Sequence, residues 1–78
     1  MKKTKKEMAK ILATNIYEVG FSRRVVNALT YLGLTSIKEV VKMTEGQLLR
    51  VPNFGLGSLN EVRKYAESKG LVIGKDYE

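Results

Sequence analysis

Glycine and proline punctuation limits what this chain can fold into. Its only proline, Pro52, and the glycines at 20, 33, 55, 57 and 70 divide it into short segments. Within those segments apolar residues recur at helical rather than alternating spacing, and no Asn-Gly or Asp-Gly pair joins two alternating runs. The pattern predicts an all-α protein: a compact bundle of about four or five short helices. Helices this short are marginal alone in water, so their stability must come from packing.

The boundaries follow from local chemistry. Met8, Ile11 and Leu12 predict a helix from Thr4 to Thr14, frayed at its start. Gly20 breaks the chain, and Ser22 is placed to cap a helix to Tyr31 with Val25, Val26, Leu29 and Leu32 as its apolar stripe; Gly33 ends it. Ser36 with Glu39, and Thr44 with Gln47, have capping-box spacing and predict helices over 37–42 and 45–50, the second buried by Leu48 and Leu49. A last helix is expected over 57–69, with Leu59, Val62 and Ala66 on one face, Gly70 just beyond its end and Leu71 closing back on it. The final VIGKDYE is expected to dock as a short tail. These segments divide into a basic N-terminal stretch, 1–14, helical or partly disordered, and a helical module, 15–78.

With 78 residues the chain is one domain with a thin core. It has no Cys and no His, which excludes disulfides, thiolate or imidazole metal sites and Ser-His or Cys-His catalysis. The apolar run Ile11-Leu12-Ala13 is too short for a signal peptide or a membrane span. Glu45, Glu61 and Glu67 form no persuasive acid/base pair, and no Walker or dinucleotide fingerprint is present. The expectation is a cytoplasmic, nucleoid-associated protein that is not an enzyme and uses neither cofactor nor metal. A net charge of +6 points to an acidic partner, and nucleic acid is the commonest. Residues 1–10 contribute +4 of that excess and the rest of the sequence +2, so net charge alone supports only non-specific attraction.

VPNFGLGSLNEV, residues 51–62, is the first candidate site. Pro52 stops one helix, Gly55 and Gly57 permit backbone angles or close approaches that a side chain would block, and another helix follows at once. Its first amides lack intrahelical partners and favour an anion, so a phosphate oxygen could be held there. Plain turn chemistry is an equal reading: Ser58 and Glu61 have the spacing of a further capping box, and glycines in turns need no function.

The second candidate is SRRVVN, residues 22–27, where Arg24 and Asn27 share a helix face and Arg23 lies beside them. Arginine holds phosphate or enters a narrow minor groove; a solvated helix start is the alternative. Tyr17, Tyr31, Tyr65, Phe21 and Phe54 fit core or edge packing better than a base-stacking platform. Residues 16–22 echo residues 51–57 when Gly20 is laid over Gly55, which predicts two related turns presenting two helix starts on one surface.

Taken together, R-x-x-N-x-L from Arg24 to Leu29, TE-x-x-LL from Thr44 to Leu49 and PN-x-G-x-x-SL-x-E from Pro52 to Glu61 resemble the C-terminal domain of the bacterial RNA polymerase alpha subunit, along residues 21–74. The resemblance implies a helix-hairpin-helix that binds A/T-rich double-stranded promoter DNA across the minor groove. It implies Arg24 as the principal DNA contact, Asn27 beside it, Gly55 presenting its backbone to phosphate, and Ser58 and Glu61 at the DNA-facing start of the last helix. Partners implied are RNA polymerase, sigma factor through Glu18, and transcription activators through the loop of Thr44 and Glu45; no membrane is involved.

This sequence departs from the pattern at Gly57, where the family usually has Lys or Arg, and at Leu56, another commonly basic position. Fewer neutralised phosphates mean weaker, less salt-dependent binding, with Arg23 or the N-terminal lysines as the compensating charges. The alternative is an adaptor that keeps the bundle but docks on polymerase, sigma factor or a regulator without binding DNA. The large assembly domain of an alpha subunit does not fit in 78 residues, so the expectation is an isolated domain or a free-standing protein using the same module.

Overall fold

Most helices begin where a small polar residue holds an amide that has no partner within the helix. The computed structural model describes residues 4–77; Lys2 and Lys3, counted above in the basic start, lie outside the described residues. Helix α1, Lys5–Leu12, is capped by Thr4, whose Oγ1 accepts from the Glu7 amide at 3.1 Å. Helix α2, Arg23–Tyr31, is capped by Ser22. Helix α3, Ile37–Lys42, starts at Ser36, whose amide donates to Glu39 Oε1 at 3.1 Å. Helix α4, Glu45–Leu49, starts with a reciprocal pair: the Thr44 amide donates to Gln47 Oε1 and the Gln47 amide to Thr44 Oγ1. Helix α5, Leu56–Ser68, has Gly55 at its N-cap position and therefore no cap from a side chain. Among the described residues the regular structure is helical, apart from one isolated bridge between Asn15 and Ser36.

Two helix ends are closed by glycine in the left-handed conformation. Gly33 has φ +77° and Gly70 has φ +75°. In each case the following amide returns to the last turn: Leu34 to the Leu29 carbonyl at 3.0 Å, and Leu71 to the Ala66 carbonyl at 2.8 Å. An alanine at either position would force an L-residue into a backbone region it avoids.

The core draws on every helix: Leu12 from α1, Val25, Ala28 and Leu29 from α2, Ile37, Val40 and Val41 from α3, Leu48 from α4, and Leu59, Val62 and Ala66 from α5. Burying a Leu, Ile or Val side chain gains about 1.5–3 kcal/mol, so these contacts supply what isolated short helices lack. Ala28, rather than Val26 or Leu32, completes the deeply buried face of α2, and Leu49 is 40% exposed instead of sharing the burial of Leu48. Ile16, fully buried, lies in a 3-10 turn, Ile16–Glu18, that the apolar spacing did not reveal. That turn is clamped to the start of α3 by the Ile16 amide on the Thr35 carbonyl and the Ile37 amide on the Thr14 carbonyl.

Helix α1 packs against α3, and α5 packs against both α2 and α4. The C-terminal residues dock as expected: the Gly74 and Lys75 amides both donate to the Val41 carbonyl, and the Val72 amide donates to Tyr77 Oη. Phe21 and Tyr65 meet edge to face with ring centroids 5.5 Å apart, tying the segment before α2 to α5. Among the described residues no helix is long and apolar enough to cross a membrane.

Candidate nucleic-acid interface

The backbone from Val51 to Phe54 makes a tight turn because each position meets one requirement of a type II turn. Pro52 supplies the fixed φ of the second position, and Asn53 takes the left-handed third position with φ 66°. The Phe54 amide closes the turn on the Val51 carbonyl at 3.1 Å. Asn53, not either glycine, therefore carries the unusual backbone angle. Gly55 is extended, with φ −102° and ψ −169°, and Gly57 lies within α5. A Cβ built at either glycine would meet nothing within 4 Å. Neither glycine is demanded by backbone conformation or by packing inside the molecule; what both leave is open surface around the start of α5.

Ser58 and Glu61 do not form a capping box. Ser58 is the third residue of α5 and is buried. Glu61 reaches another helix instead: its Oε2 accepts from the Ser22 amide at 2.5 Å. Toward Ser22 it plays the part that Glu39 plays toward Ser36, but from across the molecule. Ser22 Oγ in turn accepts from the Val25 amide at 3.4 Å, so the start of α2 is held from both sides.

Arg23, Arg24 and Asn27 all lie on α2, where they line one side of an open cleft of about 940 Å³, and the Val51–Gly55 turn lines the other. The fold thus brings Arg24, Asn27 and Gly55 together, as the two sequence segments implied, while Ser58 is buried and Glu61 is engaged with Ser22. Three further cleft residues, Ala28, Tyr31 and Leu49, lie outside both candidate segments, while Asn53 lies inside the first. Asn53 follows the only proline, a signal for a left-handed turn position that was available in the sequence. Tyr31 is 72% exposed and Tyr17 62%, so neither packs as the aromatic reading expected, whereas Phe54 is buried.

The sequence echo also changes register. Gly20, with φ +89°, is the left-handed residue of the first turn and Asn53 that of the second. Phe21 then corresponds to Phe54, and the N-cap Ser22 to the N-cap Gly55. Gly20 and Gly55 are not structural equivalents.

The residues expected to make protein contacts lie elsewhere. Glu18 is in the 3-10 turn, away from the cleft lining. Thr44 is the cap of α4, and Glu45 Oε2 accepts from Arg63 Nε at 3.1 Å and Nη2 at 2.6 Å, linking α4 to α5. Hydrogen bonds from Thr35 and then Ser36 hold the Glu39 carboxyl below its ordinary range, and burial raises the Tyr65 phenol. Among the described residues no group of three or more His, Cys, Asp or Glu side chains could hold a metal ion.

These features define a small all-helical module with an arginine-lined cleft beside an uncapped helix start. Comparison with known families is specific: the family described as the C terminal domain of the bacterial RNA polymerase alpha chain matches residues 2–67, and this protein belongs to that family. It is also 35% identical over 72 residues to the DNA-directed RNA polymerase subunit alpha of Aquifex aeolicus (strain VF5). That similarity spans 92% of the present sequence and 23% of the relative's length. The family match includes α1 as well as the segment carrying the motifs.

Proposed function

We propose that the protein is a non-catalytic, transcription-related DNA-binding module of the bacterial cytoplasm and nucleoid. The observation that carries this reading is the convergence of α2 and the Val51–Gly55 turn on one cleft, which sets Arg23, Arg24 and Asn27 opposite Asn53 and Gly55. Duplex DNA fits the two sides in different ways. A phosphate oxygen approaches the start of α5, where neither Gly55 nor Gly57 projects a side chain. Arg24 reaches toward the minor groove, whose potential is most negative where A/T tracts narrow it, and Asn27 donates and accepts beside it.

In this reading α4, the turn and α5 act as a helix-hairpin-helix, and Ser58 and Glu61 serve the interface through α5. Glu61 acts by fixing the first turn of α2, and with it the base of Arg23 and Arg24. Binding to RNA polymerase, sigma factor or activators through Glu18, Thr44 and Glu45 belongs to the same proposal and rests on family membership alone.

Fluorescence anisotropy with A/T-rich and G/C-rich duplexes over a salt series tests it. Arg24→Ala should weaken A/T-rich binding by about 10- to 100-fold, corresponding to about 1–3 kcal/mol, with an unchanged far-UV circular dichroism spectrum. A/T-rich binding equal to that of the parent in a folded Arg24→Ala protein would remove the site.

A further inference from the structure

A second groove lies where α1, the start of α3 and the docked C-terminal tail meet, and it shares no lining residue with the arginine cleft. Its volume is about 510 Å³. Helix α1 and its C-terminal end contribute Lys5, Met8, Ala9, Leu12 and Ala13, which are spaced as the stripe of an amphipathic helix seeking a partner. Only part of that stripe is used inside the molecule: Leu12 is in the core and Met8 packs against it, while Ala9 and Ala13 remain exposed one turn apart. Two small residues at that spacing leave a shallow floor on which another helix could come close.

The charge around this floor selects the occupant. Lys5 and Lys38 line the groove, and both are exposed. Among the described residues the ion pairs are Arg63 with Glu45 and Lys42 with Asp76, and neither includes Lys5 or Lys38. The nearby carboxylates have other work: Glu39 accepts from Thr35 and Ser36, and Glu7 is hydrogen-bonded to Thr4 at the start of α1. An apolar floor lined by two exposed lysines that pair with no carboxylate among the described residues is complementary to an apolar stripe flanked by carboxylates.

We propose that this groove docks an acidic amphipathic helix of a partner protein. Apolar side chains at i, i+3 and i+7 of the incoming helix lie over Ala9 and Ala13 and against Tyr77, and its Glu or Asp side chains meet Lys5 and Lys38. Because the two clefts are built from different residues, partner and nucleic acid can be held together. The groove's occupancy does not depend on the DNA-binding reading.

The test uses the 78-residue chain, labelled with nitrogen-15, and two synthetic amphipathic helices: one with leucines at i, i+3 and i+7 flanked by glutamates, the other with lysines replacing the glutamates. The glutamate peptide should shift the amides of Ala9, Ala13, Ser36 and Lys38 and leave Arg24 and Asn27 unmoved. Lys5→Glu with Lys38→Glu, both at the surface, should weaken that peptide by about tenfold and reverse the preference between peptides. No shift in the groove, or equal affinity for parent and variant, would overturn the proposal. So would movement of the same amides with protein concentration alone, which would identify a second copy as the occupant, or with added duplex, which would make the groove a nucleic-acid surface.

Discussion

The starts of α2 and α5 border the same cleft and are finished differently. At α2, Ser22 caps the Val25 amide and its own amide is taken by Glu61. At α5, Gly55 provides no cap from a side chain, and the space beside Gly55 and Gly57 is empty of other atoms of the protein. A helix start whose amides at Ser22 and Val25 are held from within serves the fold, since those two donors are already engaged. An uncapped start, next to two arginines, keeps that capacity for an anion from outside.

The sharpest way to break this contrast is to close the open start. Gly55→Asp places a capping carboxylate where the backbone is already extended and a Cβ meets nothing. Thermal melts should show unchanged or slightly higher stability, by about a few tenths of a kcal/mol, because Asp caps at least as well as Gly. Affinity for A/T-rich duplex should nevertheless fall at least about tenfold, because the carboxylate takes the amides and repels phosphate. Parental affinity in this variant would show that the start of α5 is not a phosphate site.

The opposite change opens the closed start. Glu61→Ala should cost about 1 kcal/mol in chemical denaturation and speed hydrogen exchange at the Ser22 amide, while Glu61→Gln, which keeps an acceptor, recovers most of the loss. DNA affinity should follow the Ser22 exchange rate in both variants. If Glu61→Gln loses DNA binding while Ser22 stays protected, the carboxylate meets the ligand directly and α2 is not positioned through it.

Smallest is the effect at α3, a helix start outside the cleft. Glu39 titrates below its ordinary 4.5 in the folded protein because Thr35 and Ser36 donate to its carboxylate. The unfolded state binds that proton more readily, so the contribution is complete above about pH 4.5 and lost as pH falls through the lowered folded value. Solvent screening holds it to about 0.5 kcal/mol. Denaturation across that range should be flatter for Glu39→Gln than for the parent, with DNA affinity at neutral pH unchanged. A steep acid response that survives the substitution would assign it to other carboxylates.

Much of the helical layout was legible because its signals are local. Thr44 and Gln47, or Ser36 and Glu39, sit three residues apart, so capping follows from spacing alone. Gly33 and Gly70 were legible for the same reason, as residues able to adopt the left-handed angle just past a helix. Where local signals compete, spacing misleads. Ser58 and Glu61 have capping-box spacing, yet the type II turn set by Pro52 and Asn53 starts the helix at Leu56 and carries Ser58 inside it.

The candidate site divides along the same line. Sequence by itself determined the all-helical class, the caps of α2 to α4, the shared helix of Arg24 and Asn27, and the motifs that place the protein in its family. Only the tertiary structure decided that Glu61 turns to Ser22, 39 residues away, that Asn53, Tyr31 and Leu49 join the arginine cleft, and that α1 and Tyr77 border a second groove. The reason is physical: a cap needs partners within one turn of the backbone, whereas a cleft exists only after packing of the core has fixed how distant helices face each other.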